Sequence, residues 1–124
     1  MKIKKINTHI YSSKYGNEKV FGQPLKVRSG VILEIISDQN IKGYGESYQA
    51  SYIPEITKIT LDHIKQKLVG KKINNINKII RSLDIPFVTD KGFIKSVLSS
   101  FEIALWDLKA KTLKKPLYKL LNPN

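Results

Sequence analysis

The first ten residues place apolar side chains at Ile3, Ile6 and Ile10 with Thr8 between them, a mostly alternating face that predicts a strand over residues 2–11. Residues 12–29 lose that rhythm. Gly16, Gly22 and Pro24 punctuate a polar stretch that reads as one long loop, and loops of this length in compact domains often serve as lids or binding loops. The β-branched run at 31–36 predicts a second strand covered on both faces. Ser37-Asp38-Gln39-Asn40 supplies turn chemistry, and residues 41–46 return as a third strand. Gly43 and Gly45 alternate within that strand, which implies close approach of another backbone.

The period then changes to that of helices. Pro54 and Glu55 suit a first turn, Ile56, Ile59, Ile64 and Leu68 recur at helical spacing, and Gly70 is a stop. Ile73, Ile76, Ile80 and Leu83 form a shorter stripe ending before Pro86. Ile94, Val97, Leu98, Phe101, Ala104, Leu105 and Leu108 form a broad apolar face over four turns. After Pro116, residues 117–121 look like one further helical turn. The order β-β-β-α-α-α predicts an α+β fold, a three-stranded antiparallel sheet followed by three helices packed on one face. Ile103, Trp106 and Ala110 lie off the main stripe of the third helix, so that helix is apolar on more than one side. Together with residues 117–121 they are either ordinary core ending in a frayed terminus or a face that meets another domain or subunit.

Composition narrows the function. A chain of 124 residues makes one domain and is too short for a (β/α)₈ barrel, which takes at least ~200. With no cysteine it has no disulfide, no thiolate zinc site and no thiol chemistry. The formal net charge of +12 invites a nucleic-acid partner, but 20 of the 22 cations are Lys, alongside 18 Ile and 8 Asn. These are residues with AT-rich codons. Base readout favours the fork of Arg, and only Arg28 and Arg81 offer it. The densest cluster, at Lys109, Lys111, Lys114, Lys115 and Lys119, also complements a helix C-terminus. No apolar run approaches the ~18 residues of a membrane span, and residues 1–7 lead into no signal-like stretch, so a cytoplasmic protein with no membrane contact is expected. His9 and His63 lack companion ligands, and no metal site is expected.

Two segments carry a family resemblance. Gly43-Tyr44-Gly45-Glu46 after a hairpin resembles the G-x-G-E stretch of the N-terminal domain of the mandelate racemase/muconate lactonizing enzyme family, in the enolase superfamily. Roughly 55 residues on, the run from Phe101 through Ala104, Leu105, Trp106, Asp107 and Lys111, with Pro116, Tyr118 and Leu120-Leu121, is similar to its A-L-W-D-L-x-x-K…K-P-L-Y-x-L-L signature. Glu102, Lys114 and Asn122 depart from the usual Asp, Gly and Gly.

The resemblance implies a capping domain at 1–114 and, at 115–124, the start of a linker facing a C-terminal barrel that this sequence does not reach. In the family the barrel holds Mg2+ and the base that removes a proton α to a carboxylate. This chain alone is therefore expected to lack a catalytic residue and a cofactor, with the barrel as its partner in cis or in trans and a homo-oligomer as a further possibility. The loops at 13–29 and 47–53 would close over a small carboxylate substrate, offering Tyr15, Phe21, Gln23, Arg28, Tyr48 and Tyr52. Glu46 reads either as a carboxylate that bonds neighbouring backbone and fixes the strand end, the favoured reading, or as a group near the rim of the active site; Trp106 reads as a packing anchor and Asp107 as a local hydrogen-bond partner. Two other readings stay open: a small Lys-rich nucleic-acid-binding domain, and a stand-alone interaction or oligomerisation module.

Overall fold

The computed structural model describes residues 1–14, 16, 19–20, 23–24, 26–85, 88 and 91–122, with backbone alone at 19–20 and 23–24. Its strands are β1 (Ile3–Lys14), β2 (Lys19–Val20), β3 (Gln23–Pro24), β4 (Val27–Ser37) and β5 (Lys42–Ser47). β1, β4 and β5 form an antiparallel sheet in the order β1-β4-β5, while β2 and β3 pair as a separate two-stranded arm. The expected loop at 12–29 is thus corrected. β1 runs on to Lys14 and β4 begins at Val27, paired as Ser12↔Ser29, Ser13↔Arg28 and Lys14↔Val27. This end of the ribbon is hydrogen-bonded but polar, so the two-residue hydrophobic period that betrays a half-buried strand is absent from it.

A 3₁₀ turn (Tyr48–Ser51) leads to α1 (Pro54–Lys65), α2 (Ile76–Arg81), α3 (Gly92–Thr112) and the single turn α4 (Tyr118–Leu121). One face of the sheet carries Ile6, Val31, Leu33 and Ile35, all buried, against Leu61, Leu68, Val97, Leu98, Phe101, Ala104, Leu105 and Leu108. The expected α+β architecture is present. On β5 the inward positions are the glycines: a Cβ at Gly43 would stand 2.2 Å from the Ala104 carbonyl oxygen, and one at Gly45 would stand 2.0 Å from that of Ser100. Their missing side chains let α3 lie directly on the strand.

The helical face of α1 is rotated from the expected one. Ile56 and Ile59 are 56% and 69% exposed, and Thr57 and Leu61 point inward instead. Thr57 reads as polar in a pattern, but its hydroxyl donates to the Ile53 carbonyl at 2.8 Å, which makes it compatible with the core. Along α3 the expected stripe is buried from Val97 to Leu108, with Ile94 half-buried against the core; Ile103 is half exposed, and Ala110 is buried outside the main cluster. The segment after Gly70 covers the outer edge of β1. Gly70 N–H donates to the Ile3 carbonyl, and Ile3 N–H to that of Lys71.

Asp62 ties α1 to the sheet, accepting from Thr8 Oγ1 at 2.6 Å, Lys65 Nζ at 2.6 Å and Lys58 Nζ at 2.5 Å. Partial burial alone would raise its carboxyl, but the donors from Lys58, Lys65 and Thr8 outweigh that and hold it down, from 3.8 to about 2. A carboxyl depressed on folding stabilises above its unfolded value and loses that contribution as pH falls through the folded one. The Asp62 contribution is therefore nearly whole above about pH 4 and is lost as pH falls through about 2. Asp62→Asn is expected to cost roughly 1–2 kcal/mol at pH 7, after allowing for solvent screening, and only a small part of that near pH 2. Urea denaturation at both pH values checks this; an equal loss at pH 2 would mean that the carboxylate charge is not the cause.

Candidate functional site

Where the β1–β4 ribbon runs past the core, a cleft of about 270 Å³ opens, lined by Tyr11, Ser12, Ser13, Arg28, Ser29, Gly30 and Glu46. The pairing creates it. Tyr11 lies opposite Gly30, which has no side chain to fill the surface, and the Glu46 carboxylate leans over the gap, 3.3 Å from where a Gly30 Cβ would be. Ser12 and Ser29 join their hydroxyls at 2.9 Å. The lining is small, hydroxylic and charged at its rim, suited to a polar ligand rather than an apolar one.

The 3₁₀ turn stands beside this end of the sheet. Ala50 is fully buried and anchors it, while Tyr48 and Tyr52 remain 64% and 44% exposed. Loss of hydration pushes the Tyr52 phenol up from its ordinary value, the Tyr48 phenol adds to that, and the positive charge of Arg28 opposes it. Arg28, Tyr48 and Tyr52 therefore act within one electrostatic neighbourhood, although they come from β4 and from the segment after β5. Of the other expected site residues, Tyr15, Phe21 and the side chain of Gln23 lie outside the described residues; the Gln23 backbone pairs with Val20. Sequence reasoning missed Tyr11, Ser12, Ser13 and Ser29. Only the strand register, continued three residues beyond the last apolar position, could have placed them opposite Arg28 and Gly30.

Glu46 is exposed at the cleft rather than bonded to backbone among the described residues. Asp107 bridges the two signature segments: Tyr44 N–H donates to its Oδ2 at 2.9 Å, and Lys111 Nζ meets the same oxygen at 2.6 Å. That bond occupies an amide on the free edge of β5. Lys111 also lies 4.7 Å from the centre of the Tyr44 ring, and Lys109 lies 4.9 Å from that of Trp106, which packs half-buried against the core. On the outer face of the sheet, Tyr44 Oη donates to Glu34 Oε1 at 3.2 Å. Hydrogen bonds from Lys42 and Asn7 hold the Glu34 carboxyl below its usual range, against the opposing effect of burial. Ala104 and Leu105 are buried, Pro116 accepts from Lys119 N–H at the start of α4, and Tyr118 is 66% exposed.

Among the described residues no three His, Asp or Glu side chains come together as metal ligands, and none of the helices is long and apolar enough to cross a membrane. Chemically, the arrangement can bind and orient a polar ligand; it presents no nucleophile–base pair.

Residues 22–122 match the family described as mandelate racemase / muconate lactonizing enzyme, N-terminal domain. The chain is 34% identical over 101 residues to an L-talarate/galactarate dehydratase from Salmonella typhimurium, which covers 80% of this chain and 25% of that protein. Among solved structures, an enolase-superfamily member from Polaromonas sp. JS666 superposes with a TM-score of 0.84 at 25% identity, over 98% of this chain and 33% of the other. A 3,6-anhydro-D-galactonate cycloisomerase from Zobellia galactanivorans gives 0.80 at 26% identity, over 98% and 32%. The chain thus spans about a quarter to a third of the proteins it matches. A match across most of the sequence, together with a structural likeness covering nearly all of it, establishes that this chain belongs to the mandelate racemase/muconate lactonizing enzyme family, as its N-terminal domain.

Proposed function

We propose that this chain is the substrate-selecting cap of an enzyme acting on a small carboxylate, with residues 1–114 as the cap and 115–124 leading toward a barrel that supplies the reactive groups. The observation that carries the reading is a polar cleft at one end of the sheet with Arg28 in its lining, next to the turn that exposes Tyr48 and Tyr52. A guanidinium offers a carboxylate two parallel hydrogen bonds, and a phenol hydroxyl can donate to it or to neighbouring hydroxyls. The turn at 48–51 and the ribbon at 11–14 would orient the substrate and exclude water once closed over a barrel mouth. Mg2+, held on the barrel, would stabilise the negative charge left when a proton departs beside the carboxylate. Ile103, Leu113, Tyr118 and Leu121, each about half or more exposed at the end of α3 and beyond, are the apolar surface on which such a partner would rest.

A hybrid tests the reading. Residues 1–122 would replace the corresponding segment of the Salmonella typhimurium L-talarate/galactarate dehydratase. The ratio of kcat/KM values across a panel of sugar acids is expected to shift by about tenfold or more, as differential contacts of 1–3 kcal/mol allow. A folded, active hybrid that keeps the parent ranking would refute selection by this domain.

A further inference from the structure

The strongest unassigned feature lies far from that cleft, around α2. Backbone bonds to Ile3 and Met1 fix residues 70–73 along the edge of β1, and between this segment and α2 a cleft of about 420 Å³ opens. A second, of about 390 Å³, shares Asn75 and Lys78 with it. Among the described residues no carboxylate lines either one. The cations are Lys71 and Lys78 in the first and Arg81 in the second, with Asn74, Asn75 and Ser82 as neutral partners.

The walls are ordered before any ligand arrives. Asn75 Oδ1 caps α2 by accepting from Lys78 N–H at 3.0 Å, which leaves its amide group as a donor. Ser82 Oγ donates to the Ile79 carbonyl at 2.6 Å and receives Lys71 Nζ at 3.1 Å, holding that ammonium across the cleft. Lys71, Lys78 and Arg81 form no ion pair among the described residues, unlike Lys42, Lys58, Lys65 and Lys111 but like most other lysines of the chain; what sets them apart is that they line adjoining concavities. Three such cations and several donors spread over two clefts that share Lys78 and Asn75 give this concave surface a positive potential.

We propose that these adjoining clefts bind a compact diphosphate-bearing anion. A single carboxylate would leave two cations unmatched, while a diphosphate carries enough oxygens for the Arg81 fork and two ammonium groups together. Duplex nucleic acid fits less well, because these cations fall within residues 71–81 and line concavities rather than a stripe matching a backbone. This inference is independent of the capping role.

The test is an amide NMR titration of the 124-residue chain at 150 mM NaCl with inorganic pyrophosphate and, separately, adenosine diphosphate. Saturable shifts are expected at Asn74, Asn75, Lys78 and Ser82. Tighter binding of pyrophosphate would identify a free anion, and tighter binding of the nucleotide a diphosphate on a carrier. The exposed double variant Lys78→Gln/Arg81→Gln is expected to weaken binding about tenfold or more with an unchanged spectrum elsewhere, and Lys95→Gln/Lys119→Gln to change it less than about twofold. Non-saturating shifts spread over all lysines, equal loss in both double variants, or binding to a short DNA duplex that pyrophosphate does not displace would overturn the proposal.

Discussion

Gly45→Ala is expected to abolish or nearly abolish the folded state, a change that would pass as mild in most strands. The added methyl would lie 2.0 Å from the Ser100 carbonyl oxygen, 3.0 Å from its carbon and 3.1 Å from the Ala104 nitrogen. All three are helix backbone, so no rotamer change relieves the clash. Either α3 lifts off β5 or the strand moves away from β4, and both open the core that holds Leu98, Phe101 and Leu105. Overpacking a rigid site typically costs 1–3 kcal/mol and more where nothing can yield. A loss of roughly 3 kcal/mol or more is a large part of the stability of a domain this size. Gly30→Ala is the internal control. Its new Cβ would meet only the Glu46 carboxylate, 3.3 Å away at the end of a flexible side chain, so it should lie within about 0.5 kcal/mol of the parent. Urea denaturation followed by circular dichroism distinguishes the two; equal stability of both variants would mean that α3 does not rest on the glycines as described.

Those glycines also illustrate what could be read from the sequence. Gly43 and Gly45 sit at alternate positions, and a strand that discards two side chains on one face announces a close neighbour; α3 is that neighbour. The α3 stripe was equally legible, because 3.6-residue periodicity over many turns has no competing explanation. The rotation of α1 was not legible. Ile56 and Ile59 share a helical spacing as good as that of Thr57 and Leu61, and only the packing against the sheet, which buries the second pair and leaves the first exposed, decides which face turns inward. The candidate site was half legible for a related reason. Tyr48, Tyr52 and Arg28 stand out as large or charged side chains near glycines. Ser13 facing Arg28, and Ser12 facing Ser29, depend on cross-strand register beyond the core, where the hydrophobic pattern carries no signal.

Arg28→Gln is expected to leave folding intact and to damage substrate capture. Arg28 is exposed, near the end of β4, so its removal exposes no core. In the hybrid with the Salmonella dehydratase barrel, charge-assisted bonds from a guanidinium to a carboxylate, worth about 1.5–3 kcal/mol, predict a fall in kcat/KM of roughly 10- to 100-fold. Arg28→Lys would keep the charge but not the paired geometry and should recover only part of that loss. The neighbouring phenol sharpens the expectation. The Arg28 cation lowers the pKa of Tyr52 against the raising effects of lost hydration and Tyr48. Without Arg28, Tyr52 should ionise at higher pH still, so any alkaline limb of the kcat/KM profile that belongs to this phenol moves upward. Reduced kcat/KM with an unshifted alkaline limb would place Arg28 on the substrate but away from Tyr52. Unchanged kcat/KM for every carboxylate tested would make Arg28 a strand-end charge with no part in recognition, leaving the cleft to Glu46 and the serines.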